Sequence, residues 1–338
     1  MKVLYISCHA ILEYDELKMF EDIGIDYFSL GSYINPKSPA DPIRPALTHT
    51  PDEWCYTHAP DRNNIPKEFF DKFDVIIVMH VKEWIIDNWE KMKGKIVIWR
   101  TIGQSVPSYE AALQKYRLEG LRIVRYSKRE SYIEGQIGCD QVIEFYKDPE
   151  EFNRWNGMQK QIMTLNQDMK QRGEFCNYNA FMQFQEGLPV KLYGTKNEGM
   201  GELSGGYLSY EDMKQKMRDS RAYFYVGTQP ASYTLNFIEA LMTGVPVLAL
   251  GSRHATSLGL AGDVYEIPDI IQNGVNGFVS DDIGQLQEWA RVLLKEEKIA
   301  ARIGAMGRET AIAMFGKDNI KLKWQKLFNK CKMQLDSV

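Results

Sequence analysis

Three features predict an α/β chain folded as two domains, each around a parallel sheet. Short apolar runs at residues 2–7, 26–30, 75–79, 95–99, 121–126 and 141–146 alternate with helical or loop segments, and runs at 161–166 and 190–194 carry the alternation into the second half. Strands covered on both faces by crossover helices read in this way. The 338 residues, 44% hydrophobic and 25% charged, supply apolar material for two cores. Residues 225–251, YVGTQPASYTLNFIEALMTGVPVLALG, then compress strand, small-polar turn, helix and strand into one stretch, with Gly244 ending the helix and a second apolar run starting at Pro246.

The first strand begins at Lys2, too close to the start for a signal peptide, and the longest apolar runs, such as 75–79, fall far short of a membrane span. A soluble, cytoplasmic protein is expected, peripheral to a membrane at most. The connection over 31–67 holds seven of the 13 prolines and two histidines, which reads as an irregular excursion. In open α/β sheets ligands meet the carboxyl ends of the strands. Those ends in the first half are Cys8-His9-Ala10, His80 and the stretch that starts at Arg100. His9, His80 and Arg100, with Glu13 and Asp15 from the first helix, are therefore candidates for a substrate-binding wall, although either histidine taken alone equally suits a structural hydrogen bond.

The second half opens with the strand at 161–166, followed by Lys170-Gln171-Arg172-Gly173. An arginine can grip two phosphate oxygens at once and stays charged at any working pH, so the chemistry of Arg172 suits a phosphate as it suits a solvated surface. Ser209 precedes Tyr210-Glu211-Asp212 as a helix cap. Gly199, Gly201, Gly205 and Gly206 resemble a dinucleotide loop only loosely, because no strand feeds them with a helix behind, and Gly194 to Gly206 reads as a mobile loop. Within 225–251, the turn before the helix offers backbone N–H groups and a positive helix end to a phosphate. Leu235, Ile238, Leu241 and Met242 form the helix's apolar stripe and Glu239 lies along its edge. Position alone leaves a salt bridge, solvent exposure and a ligand contact open for that carboxylate.

Glu239-Ala240-Leu241-Met242, Gly244, Pro246 and Val247 resemble the donor-binding motif of retaining, nucleotide-sugar-dependent glycosyltransferases of the two-Rossmann-domain (GT-B) type, family 4-like and related to sucrose and glycogen synthases. That family carries two glutamates eight residues apart around a glycine turn. Here Ala231 stands at the first glutamate, and Ser232-Tyr233-Thr234 replaces the turn. The resemblance extends over the C-terminal half: Lys170 to Gly173 falls on the family's Lys-Gly pair, with Gln167 in place of its preceding arginine, Gly206 to Met213 on its base-binding turn, and Ile270 to Val279 on its second glycine turn. It implies two Rossmann-like domains facing each other across a cleft, with a last helix crossing back to the first. The boundaries expected are 1–152 for an acceptor domain, 153–315 for a nucleotide-sugar donor domain and 316–338 for that helix.

The resemblance also implies roles. Arg172 and Lys170 would meet the pyrophosphate, Glu239 the ribose, and Leu208 the base through its backbone, with Ser232, Tyr233, Thr234 and Leu235 supplying the phosphate turn. A sugar would move from a nucleoside diphosphate, a UDP- or GDP-sugar first of all, to an acceptor hydroxyl, with retention, no cofactor and no metal. His9, Glu13, Asp15, His80 and Arg100 become the acceptor wall. A nucleotide-sugar 2-epimerase and a non-catalytic nucleotide-sugar or glycan-binding protein are the alternatives, and the acceptor is left open among a saccharide, a lipid-linked glycan and modified DNA.

A net charge of −4 gives no global pull toward nucleic acid. The five cysteines, Cys8, Cys55, Cys139, Cys176 and Cys331, lack metal-ligand or paired spacing and suit reduced thiols. Trp54, Trp84, Trp89 and Trp99 suit core packing as well as sugar stacking. Ile320, Trp324, Leu327, Phe328 and Cys331 recur at helical spacing, and the lysines at 317, 321, 323, 326, 330 and 332 around them read as a solvated face.

Overall fold

The computed structural model describes residues 1–31, 33, 44, 45, 47 and 61–337. Most of the proline-rich connection, with its two histidines, Trp54 and Cys55, lies outside the described residues. The elements begin with β1 (Lys2–Ile6), α1 (Ala10–Asp22), β2 (Asp26–Ser29), α2 (Lys67–Phe70), β3 (Val75–Met79), α3 (Lys82–Asn88), β4 (Ile96–Arg100), α4 (Pro107–Leu118), β5 (Arg122–Arg125) and β6 (Gln141–Val142). There follow β7 (Gln159–Leu165), α5 (Met169–Arg172), α6 (Tyr178–Phe184), β8 (Val190–Tyr193), β9 (Ser204–Gly206), α7 (Tyr210–Asp219), β10 (Ser220–Tyr225), α8 (Leu235–Thr243) and β11 (Val247–Leu250). The chain closes with α9 (Ser252–Ala255), α10 (Ile267–Ile270), β12 (Phe278–Ser280), α11 (Ile283–Lys295), α12 (Glu297–Phe315) and α13 (Lys317–Leu335).

Two compact units result, one of residues Met1–Tyr146 with Lys317–Val338, the other Lys147–Gly316. In the first, the all-parallel sheet runs β2-β1-β3-β4-β5-β6, with Val3 beside both Tyr27 and Val75. Leu4, Ile6, Ile76, Val78, Val97 and Trp99 build the core on one face. On the other lies α13: Trp324 and Phe328 set their rings edge-on to Phe20 of α1 at 4.9 and 5.1 Å. All five apolar residues read at helical spacing in the tail are buried. Two of its lysines are not merely solvated, since Lys317 pairs with Asp22 at 2.6 Å and Lys323 with Glu144. The strand expected over 141–146 shortens to β6, Gln141–Val142.

In the second unit the order is β12-β11-β10-β7-β8-β9, again all parallel. Read from the other edge it is the doubly wound order in which the first and fourth strands, here β7 and β10, are central neighbours. The segment 147–152, placed with the first domain by the sequence, belongs here. Arg308 of α12 donates to the carbonyls of Phe152 and Pro149, and the Trp155 indole donates to the Ser220 carbonyl at 2.8 Å. These bonds satisfy backbone acceptors that a free linker would leave to water.

Arg125 of β5 makes a bidentate pair with Glu110 of α4, both bonds 2.9 Å. A second buried carboxyl, Glu130, accepts from the Thr101 hydroxyl at 2.6 Å and the Tyr126 N–H at 3.2 Å, while its Oε1 has no hydrogen-bond partner among the described residues. One guanidinium cannot neutralise both carboxylates, and burial holds the Glu130 carboxyl above the ordinary carboxylate range, with Arg125 opposing. A carboxyl shifted upward on folding stabilises the fold fully below its unfolded pKa of about 4.5 and loses that contribution as pH rises through the folded value. Glu130→Gln, neutral at every pH, should therefore gain stability relative to the parent as pH is raised from about 5 to about 8. Thermal melts across that range check this, and a difference independent of pH would refute it.

Candidate functional site

The central pair β7 and β10 marks the topological switch of the second sheet, where crossovers depart in opposite directions and leave a crevice at the carboxyl ends. Asn166 follows β7 directly and uses both its backbone and its side chain there. Its N–H donates to the Tyr193 carbonyl at 3.0 Å, its carbonyl accepts from Asn197 Nδ2 at 2.7 Å, its Oδ1 accepts from Arg172 at 2.9 Å, and its Nδ2 reaches the Gly227 carbonyl at 3.5 Å. Arg172 ends the single turn α5 and also donates to the Gln167 carbonyl at 3.4 Å and to Thr228 Oγ1, beyond β10, at 3.3 Å. Every acceptor is neutral. Among the described residues no carboxylate forms an ion pair with this half-exposed guanidinium, so its charge is available to an anion.

Asn197 is nearly fully buried and holds the site from below. Besides Asn166 it bonds the Gly194 carbonyl and the Met169 N–H, at 3.1 and 3.0 Å. A Cβ at Gly194, whose φ is +134°, would stand 2.1 Å from the Asn166 carbonyl oxygen, so only glycine admits this approach. The glycine-rich stretch read as a mobile loop is thus ordered support, with a helical turn over Glu198–Leu203. On the far side the loop after β10 is anchored by Gln229, whose amide bonds the carbonyls of Glu174 and His254 and the side chains of Asn177 and Ser257.

α8 starts at the same edge. Thr234 precedes it in extended conformation, but its hydroxyl does not cap the helix; it meets the Tyr225 hydroxyl at 3.1 Å and the Asn236 side chain. Asn236 in turn donates to the Leu165 carbonyl at 3.1 Å, which pins the helix start to the end of β7. Burial holds the Tyr225 phenol well above its ordinary value, so it remains a neutral hydrogen-bonding group. Burial likewise pushes the Cys176 thiol up to about 11, against the opposing pull of Arg172, which leaves it an inert core residue.

Of the donor-side candidates, Thr234 and Leu235 sit half-exposed at the start of α8, Lys170 is exposed on α5, and Leu208 is half-buried between β9 and α7, whose cap is Ser209. Ser232 and Tyr233 are buried instead: the Ser232 carbonyl accepts from the Glu266 N–H at 3.0 Å, and the Tyr233 ring packs on Phe315 at 5.4 Å. The expected stripe on α8 is also wider, since every residue from Phe237 to Thr243 is buried while Leu235 is not. The cause is α12, which packs closely on α8: a Cβ on Gly304 would come 2.0 Å from the Gly244 carbonyl oxygen. Glu239 is 5% exposed and ion-paired with the buried Lys147 at 2.8 Å, so the salt bridge left open by its position is present. Ala231 is buried. Asn166, Asn197, Thr228 and Lys147 were not singled out by sequence reasoning; the lysine lies 92 positions from Glu239, beyond any local pattern.

In the first unit, His9 caps α1 with its ring accepting from the Leu12 N–H at 3.4 Å, and His80 follows β3, so the two flank the β1/β3 switch. Arg100 is not a wall residue. It is fully buried, pairs with Glu16 at 2.6 Å, donates to the Ile143 carbonyl at 2.7 Å and lies over the Trp324 ring. A strand-end arginine points into the protein here because α1 presents a carboxylate to it. Glu13 is also turned inward, accepting from the Ser29 hydroxyl at 2.6 Å and the Tyr33 N–H at 3.2 Å, and Asp15 is buried. Among the described residues no group of His, Cys, Asp and Glu side chains is arranged to hold a metal ion, no cysteine is disulfide-bonded, and no helix is long and apolar enough to cross a membrane.

No family model and no curated protein matches the chain by sequence. Solved structures match in fold. Anabaena Alr3699/HepE, solved with UDP-glucose, aligns over 100% of both chains at 13% identity with a TM-score of 0.60. A glycosyltransferase from Rickettsia africae ESF-5 aligns over 98% of both at 13% identity and 0.66. The DNA modifying enzyme beta-glucosyltransferase aligns over 98% of this chain and 99% of its own at 11% identity and 0.56. These likenesses place the chain in the GT-B fold class, two Rossmann-like units each built on a parallel sheet.

Removing one partner of the Lys147–Glu239 pair leaves a buried charge uncompensated. Lys147→Met should therefore cost roughly 3–5 kcal/mol in denaturant unfolding, and adding Glu239→Leu should recover most of it. A double variant as unstable as the single one would show that the pair is not what stabilises this region.

Proposed function

We propose that the protein is a glycosyltransferase that moves a sugar from a nucleoside diphosphate to an acceptor hydroxyl, with its donor site at the β7/β10 edge. The reading rests chiefly on Arg172, a guanidinium with no ion pair among the described residues, bonded to residues beyond both switch-point strands. α8, without a cap from its own threonine, begins at the same edge and directs its positive end there. A pyrophosphate fits this pairing of a fork-shaped cation with open N–H groups. UDP or UDP-glucose is held by HepE, and UDP by TarM, both of which align with this chain. UDP is accordingly the first nucleotide to test, with GDP second.

In the proposed reaction the bond from the anomeric carbon to the diphosphate oxygen breaks while the acceptor oxygen bonds to the same carbon on the same face. The acceptor's proton passes to the departing phosphate, and configuration is retained. Arg172, Lys170 and the α8 N-terminus bear the negative charge that grows on the leaving group, so no metal is required. The base would lie by Leu208 and the ribose toward Glu239, whose carboxylate is already held by Lys147. The cysteines are sparse and the four described ones are free thiols, which supports a reducing, cytoplasmic setting.

The buried Ala231 favours one second reading, a protein that binds a nucleotide sugar without turning it over. A panel of UDP-, GDP-, ADP- and TDP-sugars separates the two, because only a transferase releases the diphosphate. Arg172→Ala should weaken diphosphate binding by about 10- to 100-fold, the worth of a charge-assisted hydrogen bond or two. Unchanged affinity in that variant would overturn the site assignment, and binding without release from any donor would leave the second reading.

A further inference from the structure

At the corresponding edge of the first unit, between β1 and β3, a second cation without an ion pair among the described residues stands where the topology opens a crevice. Arg62 is half-buried, and its backbone is docked on α3, the carbonyl accepting from Asn88 Nδ2 at 2.8 Å. Its guanidinium lies over the Trp84 ring at 5.1 Å, within electrostatic reach of Cys8 beyond β1 and of Glu13 on α1. Among the described residues nothing accepts a hydrogen bond from it. Burial lowers its pKa, and the fields of Glu13 and Cys8 only partly oppose this.

His80 supplies an independent sign of a ligand. Its φ of +58° is a conformation that non-glycine residues rarely adopt, and it is clamped by the His80 N–H to the Arg100 carbonyl at 2.8 Å and by the Trp99 indole to the His80 carbonyl at 2.9 Å. The ring packs on Tyr109 at 5.2 Å, and its buried Nδ1 has no hydrogen-bond partner among the described residues. Lys82 lies 4.5 Å over the other aromatic, Tyr109, but is paired with Glu83. Among the described residues Arg62 is therefore the cation at this edge without an ion pair, with the half-buried Trp84 and Tyr109 beside it as flat surfaces for a sugar ring.

We propose that this edge binds an acceptor carrying an oxyanion, a phosphate ester or a carboxylate, beside its hydroxyls, with Arg62 gripping the oxyanion next to His80. The word acceptor rests on the transferase reading; the oxyanion site does not. Glucose 6-phosphate, glucuronate and glucose present one ring with different charge, and calorimetric titration of the full chain with each tests the site directly. The parent should bind the two charged sugars at least about tenfold more tightly than glucose. Arg62→Gln should abolish that preference, Arg62→Lys should keep part of it, and the imidazole resonances of His80 should shift with glucose 6-phosphate in the parent. Equal binding of all three sugars, no binding of the charged ones, an unmoved His80, or a preference that survives Arg62→Gln would overturn the proposal. UDP affinity, which reads the other unit, should be the same in parent and variants. A parent that fails to bind UDP would sink the donor site alone, whereas loss of UDP binding only in Arg62→Gln would mark a global defect and overturn the oxyanion site.

Discussion

The carboxyl-end edge between β7 and β10 depends on Asn166. One residue at the end of β7 ties its own strand to the loops after β8 and β10 and orients Arg172 as well. A parallel sheet leaves every strand's carboxyl end to irregular loops, whose backbone groups need partners that the ladder no longer supplies. Amide side chains suit that task because each both donates and accepts. Asn166, Asn197, Asn177, Gln229 and Asn236 do this work here, and Asn166 with Thr228 holds the Arg172 guanidinium through neutral acceptors.

Pairing separates the charges that build the molecule from those left for a ligand. Arg100 with Glu16, Arg125 with Glu110 and Lys147 with Glu239 are buried pairs, in which each partner makes the other tolerable away from water. Arg172 and Arg62 differ in forming no ion pair with a carboxylate among the described residues, Arg62 meeting Glu13 only through its field, and each stands at the switch point of its own sheet. Burial and partner, not residue type, divide these arginines into structural and available ones.

The strands were largely legible because runs covered on both faces are continuously apolar, and β3, Val75–Met79, appears as read. β6 was overestimated, since apolarity alone does not say where a ladder partner ends. The start of α8 and the cap at Ser209 were legible from local turn chemistry. Glu239 was legible as a carboxylate in need of a partner, yet the partner itself was not. Arg100 was misread because a strand-end position says nothing about whether a neighbouring helix offers a carboxylate. Asn166 and Asn197 escaped notice because polar residues near strand ends are ordinary in sequence and acquire a role only through what they reach.

By itself the sequence determined the α/β class, the alternation that yields two parallel sheets, and the position along the chain of the turn that precedes Leu235. These follow from local periodicity and turn chemistry, which neighbouring residues carry among themselves. Only the tertiary structure decided the strand order that puts β7 beside β10, the burial of Ser232 and Tyr233, the Lys147 partner of Glu239 and the lack of an ion pair at Arg172 among the described residues. Each of those is a matter of which distant residues meet, and a charge is available or spent according to that meeting alone.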